Sequence, residues 1–198
     1  MAVNSEQERT VLRLWLLLRR VGDALNLCLD LIYSKYGITN EQSGVLGAIK
    51  TRGPLKPSEL ASILERSPNS ISMLVDRMVK ANLVKRTRDR NDRRVVFVTM
   101  TDKGRQAIDP AVPEGWQLIH KVLSPLPYDQ QRDLADMLET VRGELVHCLN
   151  PEMDMTEILE KSLTRDPDLY KRLVKNVLPP SYEAKRESRE KRKTVRRR

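Results

Sequence analysis

The stretch KRTRDRNDRRVVFVTMT, Lys85 to Thr101, packs six basic side chains into Lys85–Arg94, sets Asp89 and Asp92 among them, and turns abruptly into Val95-Val96-Phe97-Val98. Arginine is seldom buried without partners, so core packing does not explain such a cluster. A planar guanidinium is suited to bidentate contact with phosphate and to narrow electronegative grooves. A short β-branched run is a stiff holder for cations of that kind. Within it, Asp92 is placed to orient Arg94 by a charge-assisted hydrogen bond, and Arg90 and Arg94 are the cations free to meet a polyanion.

The charge of the whole chain supports that chemistry once it is located. The net charge of +9 concentrates in residues 85–105, eight Lys/Arg against three Asp, and in residues 183–198, nine Lys/Arg against three Glu; the remainder carries −2. Two concentrated sites suit a polyanion footprint better than a uniformly basic surface would.

The elements that position these residues follow from periodicity and punctuation. Residues 9–36 predict one long helix, apolar on more than one face, which must be buried on several sides and so points to a partner subunit. Thr39-Asn40-Glu41-Gln42 has capping-box spacing and opens a helix to about Lys50, closed by Arg52-Gly53-Pro54. A second short helix spans about Ser58 to Leu64. Ser67-Pro68 announces a third, to about Ala81, in which Ile71, Leu74, Val75 and Met78 form one apolar stripe. Opposite that stripe stand Asn69, Ser72, Met73, Arg77 and Lys80, and Ser70 joins them near the N-terminus. Asp76 lies on the same outer arc; a carboxylate there would repel phosphate, so it is expected to pair inside the protein.

The period then changes to two. Leu83–Thr87 and Arg93–Met100 predict strands joined through Arg88-Asp89-Arg90-Asn91-Asp92 as a hairpin. Thr101-Asp102-Lys103 caps a further helix, which Pro110 and Pro113 should interrupt before the pattern resumes to about Leu123. After Pro125-Leu126-Pro127, residues 129–149 predict a second long amphipathic helix. The fold expected is mainly α with a small β-hairpin wing: a winged helix-turn-helix between long N- and C-terminal helices. In that arrangement the third helix enters the major groove of double-stranded DNA, with Asn69, Ser70, Ser72, Met73 and Arg77 nearest the bases. The hairpin carries Arg90 and Arg94 toward the minor groove.

Other classes find little support. No apolar run approaches the roughly 20 residues of a membrane span, and MAVNSEQERT does not read as a signal peptide. Two cysteines, Cys28 and Cys148, indicate no disulfide framework, and a cytoplasmic setting is expected. Cys28 lies on an apolar helix face, where a packed, unreactive thiol is the usual finding. Adjacent His147 and Cys148 project about 100° apart on a helix and match no zinc spacing, so no metal site is expected. No phosphate loop or nucleophile motif is present, so neither an enzyme nor a cofactor is expected.

The segments Leu60-Ala61 through Met78, Leu83-Val84-Lys85-Arg86, Asp92-Arg93-Arg94 and Thr99-Met100-Thr101-Asp102-Lys103-Gly104 resemble the MarR family of bacterial transcriptional regulators, over roughly residues 9–149. The resemblance implies a DNA-binding homodimer, more often a repressor than an activator, with its terminal helices interlocked. It also implies a small-molecule effector in many members. Trp15, Leu18, Tyr36 and Met73 are the candidate lining of an effector pocket. Asn82 stands where the family often has glycine, and asparagine tolerates the left-handed conformation required there.

The expected organisation is an N-terminal dimerisation helix at 1–36, a winged helix-turn-helix at 37–104 and C-terminal dimerisation helices at 105–150. A helical extension at 151–182, with a helix from about 167 to 178, and a basic disordered tail at 183–198 complete it. The alternative is a winged-helix protein-interaction module tethered non-specifically to nucleic acid by that tail.

Overall fold

The computed structural model describes residues 6–89, 92 and 94–149. Expectations for Arg90 and for residues 151–198, the 167–178 helix included, fall outside these. Among the described residues six helices and a hairpin follow in order: α1 (Glu6–Ser34), α2 (Asn40–Arg52), α3 (Pro57–Ile63), α4 (Pro68–Lys80), β1 (Val84–Arg88), β2 (Val96–Met100), α5 (Asp102–Leu123) and α6 (Tyr128–Leu149). This is the mainly helical winged helix-turn-helix the sequence predicts.

Local chemistry sets most boundaries. Thr39 caps α2, its hydroxyl accepting from Gln42 N–H while the Gln42 side chain accepts from Thr39 N–H, and Gly53 at φ +84° closes the helix. Lys56 precedes α3, with Glu59 reaching back to its N–H at 2.6 Å. The core gathers Val45, Leu46 and Ile49 of α2, Leu60 of α3, the stripe Ile71, Leu74, Val75 and Met78 of α4, and Val84 and Val98 of the hairpin. Burial of this kind contributes about 1.5–3 kcal/mol per large apolar side chain.

The hairpin is antiparallel, with Val84 opposite Met100 and Arg88 opposite Val96. Leu55 adds a bridge to its outer edge, donating to Val98 O at 3.2 Å and accepting from Val98 N–H at 2.7 Å. β2 begins at Val96 rather than Arg93, because Arg94 lies in the turn that Asp92 organises.

Pro110 and Pro113 do not interrupt α5, which runs continuously through both. Each proline removes one N–H and crowds the carbonyl four residues back. Against that, Ala107, Ile108, Ala111 and Gly115 are buried, and Asp109 is held by Lys50 at 2.8 Å. Tertiary packing outweighs the local preference.

α1 presents Val11, Leu14, Leu17, Val21, Leu27 and Leu31 to solvent, and α6 presents Met137, Leu138, Val141 and Leu145. Cys28, expected to be packed, is exposed for the same reason: its helix face has no cover within a single chain. Among the described residues no helix is long and apolar enough to cross a membrane, and no group of three or more His, Cys, Asp or Glu could hold a metal ion.

Candidate nucleic-acid interface

α4 starts where Ser67 accepts from Ser70 N–H at 3.1 Å and donates to Ser70 Oγ at 2.9 Å. It stops where Asn82 turns left-handed at φ +58°. There Leu83 N–H reaches Met78 O and Asn82 N–H reaches Val79 O, both at 2.9 Å, the two bonds of a Schellman motif with asparagine in the position glycine usually takes. Between these ends one face is buried. Asn69, Ser70, Ser72, Met73 and Arg77 are all exposed on the other.

Charges on that exposed arc are sorted. Asp76 meets Arg86 of β1 at 2.5 Å, which removes a free carboxylate from the surface and ties the helix to the wing. Glu41 on α2 lies 3.9 Å from the Arg77 guanidinium and 3.4 Å from that of Arg66. All are substantially exposed, and pairs of this kind are worth about 0–1 kcal/mol, so phosphate could compete for both arginines. The sequence offered no local signal for Glu41 or Arg66.

In the wing turn, Asp92 N–H donates to Asp89 Oδ1 at 3.0 Å, and Asp92 Oδ1 accepts from the backbone N–H of Arg94 at 2.9 Å. Asp89 N–H and Val95 N–H bond Val95 O and Asp92 O, each at 2.9 Å. The contact expected between Asp92 and Arg94 is made to the backbone, so Asp92 shapes the turn, and the Arg94 residue is exposed.

A cleft of about 890 Å³ opens between α1, α2 and α4, lined by Asn26, Asp30, Glu41, Arg66, Met73 and Arg77 among others. The four candidate pocket residues are not gathered there. Met73 lines the cleft. Tyr36 donates its hydroxyl to Glu114, which also accepts from Lys35 at 3.0 Å. That hydrogen bond raises the Tyr36 phenol above its ordinary range and, with the Lys35 bond second, lowers the Glu114 carboxyl. Trp15 lies beneath Arg19, its ring centre 5.5 Å away. Leu18 is exposed twelve residues before Asp30, about 18 Å along the helix.

α1 is joined to the α2–β2 lobe near its C-terminal end. Asp30 accepts from Asn40 N–H at 2.7 Å, and Asn40 Nδ2 donates to Asn26 at 2.8 Å. A buried-stripe helix with an exposed polar arc, a cation-bearing hairpin beside it and long helices outside the lobe together define a winged helix-turn-helix.

Residues 36–95 match the sequence profile of the MarR family. The HTH-type transcriptional repressor MdtR of Bacillus subtilis is 40% identical over 70 residues, 35% of this chain and 45% of that protein's own length. The HTH-type transcriptional regulator PecS of Dickeya dadantii is 27% identical over 133 residues, 66% of this chain and 80% of that one. Among solved structures, a mutant MarR from E. coli complexed with operator DNA superposes with a TM-score of 0.62 at 25% identity, covering 69% of this chain and 99% of that one. The match covers the lobe that holds α2, α3 and α4 and the start of the wing, the segment in which Leu60–Met78 and Asp92-Arg93-Arg94 carry the resemblance to this family.

Proposed function

We propose that this chain is a sequence-specific, double-stranded-DNA-binding transcriptional regulator that represses as a homodimer by occupying an inverted-repeat operator. The observation that carries the proposal is the exposed arc of α4, Asn69, Ser70, Ser72, Met73 and Arg77, standing above a buried stripe and beside the wing. A helix of this width enters the major groove, where asparagine and arginine distinguish bases. Arg90 and Arg94 are assigned to the adjacent minor groove. The likeness to MdtR, a transcriptional repressor, favours repression, and occlusion needs nothing beyond tight binding.

The uncovered apolar faces of α1 and α6 supply a surface for a second copy, since faces of that extent on a single chain mark interaction sites. In this proposal residues 37–104 bind DNA, 1–36 and 105–150 dimerise, and the protein works in the cytoplasm. A small-molecule effector held between the dimer helices and the lobe, where Met73 lines the cleft, releases DNA by binding one lobe spacing better than the other.

Selection from random duplexes followed by footprinting tests the proposal. Half-sites about 10–10.5 base pairs apart, centre to centre, are expected, preferred over random DNA by about a thousandfold or more. One asymmetric half-site would refute the dimer geometry. No preference would favour the interaction-module alternative.

A further inference from the structure

Glu65 occupies an unexpected backbone position. It ends α3 as the left-handed residue of a Schellman motif, φ +49°, with Glu65 N–H on Ser62 O at 3.2 Å and Arg66 N–H on Ala61 O at 2.9 Å. Glycine or asparagine is the ordinary occupant of such a site, and glutamate gains nothing there from the local backbone. Strained positions persist where the surroundings over-determine them. The surrounding group is Arg142 of α6, whose Nη1 meets Glu65 Oε1 at 2.5 Å.

Arg142 is itself fixed. Its Nε and Nη2 donate to Glu139 Oε1 at 3.1 and 2.7 Å, and Glu139 is one of the two buried polar or charged residues among those described. A buried carboxylate requires a partner, so the guanidinium is anchored on α6 with one edge left to reach across. That edge meets the residue two positions before Ser67, the cap that starts α4.

The lobe is therefore attached in two different ways. α2 packs along α1 and α5 and is tied there by Asp30–Asn40 and Lys50–Asp109, whereas α6 has no extended packing against any other element among the described residues and meets the lobe through Arg142. A joint of the first kind fixes where the lobe sits. The Arg142–Glu65 pair, just before the opening of α4, ties the lobe to α6.

We infer that Arg142 and Glu65 are positioning residues that hold the recognition helix at a set angle to α6, and so determine which half-site spacing the dimer accepts. The inference rests on the operator-binding proposal and specifies the device behind its spacing. Neither side chain is required to touch DNA.

The test uses the full chain and the operator selected above, with the half-site spacing lengthened or shortened by one and two base pairs. Glu65→Asn suits the left-handed backbone but cannot span to Arg142, so thermal stability should hold or rise. Operator affinity should fall about three- to tenfold, random-duplex binding should stay unchanged, and the spacing preference should flatten. A merely structural role would link affinity loss to stability loss, the opposite pattern. Arg142→Lys keeps a cation beside Glu139, loses the second reach, and should reproduce Glu65→Asn, with the double variant no worse than either single one. If wild type and Glu65→Asn show the same spacing preference and the same operator-to-random ratio, the inference is overturned while the regulator proposal stands. If wild type selects no operator, both fall.

Discussion

Gly104→Ala tests how the base of the wing closes. Gly104 lies in the first turn of α5 and donates its N–H to Thr101 Oγ1 at 3.1 Å. A β-carbon there would sit 2.1 Å from the Leu83 carbonyl oxygen and 3.1 Å from both the Leu83 carbonyl carbon and Met100 Cγ. Ordinary C···O approach is about 3.3–3.6 Å, so a backbone group must move by about 1 Å. That carbonyl is already engaged. It accepts from Thr101 N–H at 3.1 Å and lies 3.0 Å from the Thr101 hydroxyl, which also reaches Asn82 O at 2.7 Å.

The magnitude follows from these contacts. Overpacking costs about 1–3 kcal/mol. Straining one or two hydrogen bonds adds about 0.5–1.5 kcal/mol each. Replacing a helical glycine returns about 0.5–1 kcal/mol. The net loss is about 1–5 kcal/mol, a large part of the roughly 5–15 kcal/mol typical of a domain. Gly47→Ala, in α2, meets nothing within 4 Å and should instead stabilise by about 0.5–1 kcal/mol. Urea unfolding of the three proteins at one matched concentration reads both signs, the matching being needed because association contributes to apparent stability. Displacing Leu83 also tilts β1 against α4, so operator affinity should fall further than random-duplex affinity. A Gly104→Ala protein within about 0.5 kcal/mol of wild type would refute this account of the wing base.

Two further outcomes concern the cations. Replacing Arg94 or Arg90 by alanine should weaken DNA binding and reduce the slope of log affinity against log salt by about one unit per lost contact; unchanged affinity in both singles and the double would remove the wing from the interface. Deleting residues 183–198, which carry +6, should lower affinity for operator and random duplex about equally and flatten the salt slope, whereas a selective loss of operator binding would mean that the tail reads sequence.

The sequence made the interface legible wherever its cause was local. Ser67-Pro68 and the Ile71–Leu74–Val75–Met78 stripe define α4 and its exposed arc, because a cap and a period of 3.6 both lie within one helix. Thr39 and Gln42 fix α2 in the same way. Repulsion between a carboxylate and phosphate implies that Asp76 pairs within the chain, whereas the identity of its partner, Arg86, depends on how the hairpin sits against α4. The prolines of α5 misled because their cost is local, whereas the burial of Ile108 and Ala111 that opposes it is not. The Leu55–Val98 bridge joins residues 43 apart with no turn signal between them to suggest a strand. Trp15 and Leu18 share α1 with the residues that join it to the lobe, and that junction lies further along the helix, at Asn26 and Asp30.

Among the described residues, the two left-handed non-glycine positions show what kind of information is missing from a local pattern. Asn82 and Glu65 do the same backbone work, each ending a helix in a Schellman motif. Asparagine at the first site satisfies the local rule, and its position before the wing is the one the family resemblance implies. Glutamate at the second breaks the rule, so its presence has no local explanation. A sequence is locally consistent over most of its length, and an uncompensated violation is where a distant partner or a function is to be sought. At Glu65 the partner is on α6, 77 residues away, at the point where α6 meets the start of the recognition helix. The residue least suited to its own turn is the one that connects the turn to α6.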